Sequence, residues 1–176
     1  RFFLGVVLIA LAAAIKPIAL LALPFVGLMW AGTTASWRRR VAMWALTLGV
    51  SVVTIAAVAR VAGVGWGWIA ALKTPGAVET WLSPPTAVGK IIGGALQGLG
   101  LLDSSEIVVA ITRAIGLAAA LVIIGLLLLR PQGRSPVRGA AIAFAAIVTL
   151  GPVVQAWYLL WPLSLVAATG LRKVWH

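Results

Sequence analysis

Four apolar runs dictate what this chain can fold into. They lie at about residues 2–30, 41–62, 107–129 and 139–171. A membrane-spanning helix needs about 20 consecutive apolar residues. The second and third runs fit one span each. The first and fourth are longer, and each is interrupted near its middle, by Lys16-Pro17 and by Gly151-Pro152. The runs are continuous and do not alternate as the strands of a membrane barrel must. The expected fold is therefore all-α: a polytopic transmembrane helical bundle, read as one domain over residues 1–176, with two proline-broken hydrophobic blocks.

Composition closes off the alternatives. The chain is 62% hydrophobic and 10% charged, against about 45–50% and about 25% in ordinary soluble domains. That leaves too little polar surface for a soluble enzyme, a disordered region or a nucleic-acid-binding domain. The formal net charge of +11 does not point to nucleic acid either. Arg38–Arg40 form one cluster, Arg130, Arg134 and Arg138 another, and Arg172-Lys173 a third. All flank apolar runs, as the cytoplasmic loops of membrane proteins do under the positive-inside rule. With no cysteine, one histidine and three carboxylates, neither disulfides nor a metal site is expected. No cofactor is expected within the chain. The chain opens at Arg1 directly in an apolar run, which is expected of a fragment. A signal peptide over Arg1 to Ala14, cleaved near Ala12-Ala13-Ala14, is a second reading, opposed by the apolar run that resumes after Lys16.

Charge also orients the blocks. If the Arg38–Arg40 cluster and the Arg130–Arg138 loop are cytoplasmic, block two leads out and block three leads back. The segment at about 63–106, which holds Glu79, Asp103 and Glu106, is then extracytoplasmic. Blocks one and four are each either a helical hairpin bent at the break or one tilted, kinked helix. A hairpin arm of about 14–16 residues would span roughly 21–24 Å. Within the outer segment, Gly65-Trp66-Gly67-Trp68 and Trp81 suit the membrane interface. Ser83-Pro84-Pro85-Thr86 reads as a rigid turn, and Thr86 to Leu99 as a short helix lying on the membrane, weakened by its glycines. Asp103 with Glu106 matches a capping box opening block three.

Few residues can carry chemistry. Lys16 sits in an apolar block, where an ionisable side chain is by default functional, and beside a proline that opens the backbone. It is a candidate anion ligand; the competing reading is a lysine that snorkels to the interface. Arg113 lies about 10 Å along block three from Glu106 and can grip a phosphate bidentately; the competing reading is a structural ion pair. Arg60, at the outer end of block two, either joins that cationic set or marks the interface. Lys73 and Lys90 read as solvated charges. Gln155, Trp157 and Tyr158, just after the Gly151-Pro152 break, suit a sugar, because amides hydrogen-bond hydroxyls and aromatic faces pack on C–H faces. The competing reading is an interfacial aromatic belt. No Ser-His-Asp set and no GxxxxGK[ST] loop is present.

These residues carry a resemblance. Ala14-Ile15-Lys16-Pro17, with Leu23-Pro24 beyond it, resembles the Lys-Pro block of polyprenol-phosphate-dependent membrane glycosyltransferases of the GT-C fold. Trp81-Leu82-Ser83-Pro84-Pro85-Thr86, Thr112-Arg113-Ala114-Ile115-Gly116, and Pro152 to Pro162 around Trp157-Tyr158-Leu159-Leu160-Trp161 are similar to the C-terminal part of the actinobacterial polyprenol-phosphomannose-dependent α-1,6-mannosyltransferases.

The resemblance implies a multi-pass enzyme of the plasma membrane, active at the extracytoplasmic face. It implies transfer of mannose from a polyprenyl-phosphate carrier, the donor substrate, to a growing α-1,6-mannan of the lipomannan type. Its catalytic base is expected upstream of Arg1, so the chain alone should be inactive. Gln155 stands where relatives are expected to carry His. Under this reading Lys16, Arg113 and Arg60 bind the carrier phosphate, and Trp81, Ser83, Thr86, Gln155, Trp157 and Tyr158 contact sugar or acceptor. Membrane lipids are the other expected partner. The rival readings are a secondary transporter, since proline-broken blocks near both ends are a pointer to broken-helix transport sites, and a non-catalytic membrane subunit.

Overall fold

Lys16 breaks the first apolar block by leaving the helical region altogether. In the computed structural model, which describes residues 1–64, 80–131 and 133–169, helix α1 (Phe2–Ile15) ends at Lys16 with φ −137° and ψ 107°. A 3-10 segment, Pro17–Ala22, follows at once and leads into α2 (Leu23–Ala31). Pro17 cannot donate to the ladder and restricts the residue before it to extended conformations, so the break falls where the sequence places it. The chain then reverses: the rings of Phe2 and Trp30 lie 4.9 Å apart, whereas one continuous helix would separate them by about 42 Å. Block one is a hairpin.

The remaining helices are α3 (Trp37–Val61), α4 (Pro84–Gly98), α5 (Glu106–Leu129), α6 (Pro136–Leu150) and α7 (Leu160–Ala168), with a second 3-10 turn at Ala156–Leu159. The described residues contain no strand. Helices α3 and α5 are long and apolar enough to cross a membrane, and only 11% and 17% of their most apolar windows are buried within the protein. A core helix of a soluble domain would be mostly buried. These faces require an apolar solvent, so the chain is a membrane protein.

Two compact units partition the chain: Arg1–Leu72 with Leu128–Ala140 and Leu165–His176, and Lys73–Leu127 with Ala141–Ser164. In the first, α1 buries Phe2, Val6, Ala10 and Ala13, a stripe at helical spacing. Phe2, Val6 and Leu23 form a core on which Val50 of α3 packs. Helix α3 is locked to α2 by the Trp44 indole, whose Nε1–H donates to the Pro24 carbonyl at 2.9 Å. Arg40 is no free loop charge. Its guanidinium donates to Thr33 O at 2.6 Å and to Leu129 O at 3.5 Å, a cation at the carbonyl end of α5. That contact ties the first turn of α3 to the loop after α2 and to the C-terminal end of α5.

In the second unit α4 and α5 pack antiparallel. A Cβ at Gly93 would fall 3.0 Å from the Ser105 Cα, one at Gly89 2.7 Å from the Val109 Cα, and one at Gly116 2.5 Å from the Pro85 Cγ. Position 93 thus pairs with 105, 89 with 109 and 85 with 116. Gly89 and Gly93 are four residues apart, the small-xxx-small spacing that lets helix backbones approach closely. Gly93, with Gly94, Gly98 and Gly100, was expected to weaken the helix; instead Gly93 and Gly89 are its contact face, with Pro85 and Thr86. The expectation of a helix lying flat on the membrane is corrected accordingly: α4 runs alongside the first turns of an apolar helix long enough to span. Nor is Ser83–Thr86 a free turn. It is the start of α4, with Ser83 as N-cap and prolines at the first two helical positions, where the missing N–H groups cost nothing. The expected capping box at Asp103 is also displaced. Helix α5 begins at Glu106, whose N–H is taken by Ser104 Oγ at 3.2 Å, while Asp103 lies further out and offers its carbonyl to Gln97 Nε2 at 3.1 Å.

Block four is a hairpin as well. Phe144 of α6 and Trp161 of α7 meet edge to face with centroids 6.4 Å apart, across seventeen residues that a straight helix would stretch over about 25 Å. Three calls lie outside the described residues: the Gly65–Trp68 interface segment, Lys73 with Glu79, and Arg172-Lys173.

Candidate functional site

The break in block four is where the second unit concentrates its polar contacts. Residues 151–155 are non-helical. Gly151 N–H still reaches Ile147 O at 3.0 Å and Gln155 O accepts from Tyr158 N–H at 2.9 Å, but the carbonyls of Gly151, Pro152 and Val154 lie past the end of the helix, and in an apolar surrounding an unsatisfied group is costly. Three hydroxyls just before and within the first turn of α4 supply what is missing. Ser83 Oγ donates to Gly151 O at 2.9 Å. Thr86 Oγ1 donates to Pro152 O at 3.2 Å. Thr80 Oγ1 donates to Val154 O at 3.1 Å and accepts from Val154 N–H at 3.3 Å. Ser83 and Thr86 are both fully buried. Ser83 Oγ also accepts from the Thr86 N–H at 3.4 Å. Since Pro84 and Pro85 carry no N–H, the start of α4 is buried with few donors left over.

Three of the four family-like motifs therefore converge. Ser83 and Thr86 of the first hold the backbone at the head of the last, and Gly116 of the middle one receives Pro85. Gly116 also faces the Leu150 carbonyl, 2.5 Å from where a Cβ would be, so no larger residue fits there without a backbone shift. Arg113 is half-buried and follows Thr112, whose hydroxyl is held by the Val108 and Val109 carbonyls at 3.1 and 3.0 Å. The fourth motif lies in the first unit. There Lys16 is exposed at the hairpin bend, and its backbone is served locally: its N–H donates to Ala12 O at 2.8 Å and its carbonyl accepts from Ala19 N–H at 3.0 Å. Arg60, also in the first unit, is exposed in the last turn of α3, where a cation suits the carbonyl end of the helix.

Beyond the clasp the chain presents aromatic rings. Gln155 is extended (φ −119°, ψ 142°) and half-buried, and opens the 3-10 turn Ala156–Leu159. Trp157 is 56% exposed and meets Tyr158 edge to face at 6.2 Å. Tyr158 stacks on Trp161 at 4.5 Å with 19° between the planes. On the partner segment Trp81 is 64% exposed, with Lys90 Nζ over its ring at 5.2 Å. Lys90 is thus tied to an aromatic face rather than being a simple solvated charge. Thr80 and Val154 are joined by two hydrogen bonds, and Trp81 and Gln155 are the residues that follow them in the chain.

Sequence reasoning read Ser83 and Thr86, with the aromatics, as sugar or acceptor contacts; in the fold their hydroxyls donate to the Gly151 and Pro152 carbonyls. It also passed over Thr80, whose only signal is a hydroxyl two residues before a buried one, next to a proline pair. A shallow apolar groove along α3, lined by Ala42, Leu46, Gly49 and Val53 among others, has nothing to grip a sugar or phosphate. Its one hydroxyl, on Thr54, is spent on the Val50 carbonyl at 2.8 Å.

The fold and this arrangement define an α-helical integral membrane protein in which an aromatic, amide-bearing loop is held by a buried hydroxyl clasp. Residues 85–176 match the model of the MptB C-terminal domain family, and the chain belongs to that family. It is 38% identical over 178 residues to a probable alpha-(1->6)-mannopyranosyltransferase of Mycolicibacterium smegmatis, covering 96% of this chain and 31% of that protein. An alpha-(1->6)-mannopyranosyltransferase of Mycobacterium tuberculosis is 39% identical over 96% of this chain and 29% of its own length. Alpha-(1->6)-mannopyranosyltransferase B of Corynebacterium glutamicum is 30% identical over 94% of this chain and 29% of its own length. The chain thus spans about a third of the length of the curated relatives it matches. No solved structure matches it.

Proposed function

We propose that the chain is the C-terminal membrane part of a mannosyltransferase that moves mannose from a polyprenyl-phosphate carrier to a growing α-1,6-mannan at the extracytoplasmic face of the plasma membrane. One observation carries this reading. Three motifs characteristic of such transferases, far apart in sequence, meet around the Gly151–Val154 break in a chain whose relatives are named as alpha-(1->6)-mannopyranosyltransferases. The transporter and subunit readings have no comparable support.

The reaction is a direct displacement. An acceptor hydroxyl oxygen bonds to the anomeric carbon, the bond from that carbon to the carrier phosphate oxygen breaks, and the acceptor proton goes to a base outside this chain. Inversion at a β-linked donor gives the α-mannoside. The negative charge that develops on the departing polyprenyl phosphate is the place where a positioned cation lowers the barrier. Lys16 and Arg113 are the cations set within apolar blocks away from the arginine-rich loops, and Arg60 is the third candidate. Trp81, Gln155, Trp157 and Tyr158 receive the sugar or acceptor, with aromatic faces on C–H faces and the amide on hydroxyls.

The test is transfer from polyprenyl-phosphomannose by membranes carrying the intact enzyme. Lys16→Met and Arg113→Leu should each cut turnover about 10²–10³-fold. Arg113→Lys should restore only part, because an ammonium cannot reproduce a bidentate fork, and Lys73→Ala should change little. Near-normal turnover in both of the first two variants, correctly inserted, would assign those cations to structure.

A further inference from the structure

We infer that Thr80, Ser83 and Thr86 are positioning residues, which fix the backbone of residues 151–154 and through it aim Gln155 and Trp157. The inference deepens the proposed function and rests on it where it speaks of sugar.

Four observations combine. The 151–154 backbone is irregular between two helices, so no local ladder fixes its direction. Its carbonyls at positions 151, 152 and 154 are each taken by a hydroxyl from a segment at least 66 residues away. The Ser83 and Thr86 side chains are fully buried, so no water competes for them. Finally, the segment they grip leads without interruption into Gln155, whose extended φ and ψ open the 3-10 turn carrying Trp157 and Tyr158. A hydroxyl is suited to this work. It donates one bond along a short, stiff arm, and a threonine methyl adds packing that restricts its rotamer. Ser83 has a second task, capping the Thr86 N–H, so the cap of α4 and the grip on the break move together. Trp81 lies inside the gripping segment and Gln155 just after the gripped one. The clasp therefore sets the spacing between two groups read as sugar contacts without touching the sugar.

The experiment uses the intact enzyme, since the chain has no cysteine and one cysteine can be placed at will wherever the rest of the protein is made cysteine-free. Gln155→Cys reports the loop through its rate of alkylation by a small maleimide, and Ser36→Cys reports a distant site. Thr86→Val removes the hydroxyl at nearly constant volume. It should change the Gln155→Cys rate about three- to tenfold, the range one hydrogen bond supports, and leave Ser36→Cys unchanged. Thr86→Ser should restore the original rate. In the enzyme retaining Gln155, Thr86→Val should raise the acceptor KM more than it lowers kcat, because the reacting groups are intact. Thr80→Val, at the half-buried rim of the clasp, tests the same point if Thr86→Val does not insert. An altered alkylation rate with unchanged acceptor KM would uphold the clasp and overturn the sugar reading. Unchanged alkylation in both valine variants would overturn the clasp itself.

Discussion

The two breaks in this chain solve one problem in opposite ways. At Lys16 a single residue leaves the helix, and its backbone finds partners within four residues, Ala12 on one side and Ala19 on the other. At Gly151–Gln155 five residues leave the helix, and the carbonyls of Gly151, Pro152 and Val154 are met by side chains from 66 to 74 residues away. The first break is a local event that any Lys-Pro or similar pair in an apolar helix would produce. The second exists only when the rest of its unit has folded. A locally satisfied break draws on no distant side chain to hold its backbone, and it is there that the charge sits. A remotely satisfied break spends its neighbours' polar groups on holding shape, and what it exposes is aromatic. Charge and exposed aromatic rings are thus divided between a self-sufficient bend and a clasped one.

The comparison breaks outright if the two bends do not both return the chain to the side it came from. In cysteine-free protein, single cysteines at Ser36, Ser135 and Thr169 should all be protected from an impermeant maleimide in intact cells and react after permeabilisation. A cysteine at exposed Leu99 should react from outside. The outcome is all or none at each position, following the arginine distribution. External labelling at Thr169 with protection at Ser135 would turn block four back into a single crossing.

A graded effect is expected where the clasped unit depends on close backbone approach. Gly93→Val and Gly89→Val would each drive a side chain into α5, since even a Cβ would sit 3.0 Å or less from a backbone carbon there. Each should destabilise by about 1–3 kcal/mol or more, read as a fall in detergent-solubilised melting temperature. Gly94, with nothing within 4 Å, is the control, and Gly94→Ala should be neutral or slightly stabilising. Equal effects at 93 and 94 would mean that α4 does not pack through the 89–93 face.

Much of this was legible in the sequence. Both spans, both breaks and the residue at which the first break falls follow from run length and from proline, which act locally. Whether each broken block doubles back did not follow, because that choice is made by contacts such as Phe2 with Trp30 and Phe144 with Trp161, between residues with no local relation. Glycine was misread for the same reason. Its propensity cost is a property of one helix, while its value at Gly89 and Gly93 is a property of two. Ser83 and Thr86 carried a signal whose hydrogen-bond partners the sequence does not name. A Ser-Pro-Pro-Thr sequence announces rigidity and two hydroxyls, but only the fold reveals that those hydroxyls point at residues 151 and 152. Arg40 shows the limit of charge counting: it sits in a cytoplasmic-type cluster, yet its guanidinium is spent on two backbone carbonyls.

The smallest expected effects separate the two breaks most cleanly, because they concern stability and not activity. Ser83→Ala deletes the donor to Gly151 O and the acceptor for the Thr86 N–H together. Both partners are left in a buried place, where an unsatisfied polar group costs about 1–3 kcal/mol. Alanine is slightly smaller than serine, so overpacking does not confuse the reading. Lys16→Met removes a charge from an exposed bend whose backbone bonds are all local and survive the change. Methionine matches the length of the lysine stem, and substitutions at exposed positions usually stay within about 0.5 kcal/mol. The expected pattern is thus crossed. Lys16→Met is nearly silent in thermal unfolding but costly in transfer, while Ser83→Ala is clearly visible in unfolding. A Lys16→Met variant that melts as early as Ser83→Ala would mean that the first break is also held from a distance, and the contrast between the two bends would fail.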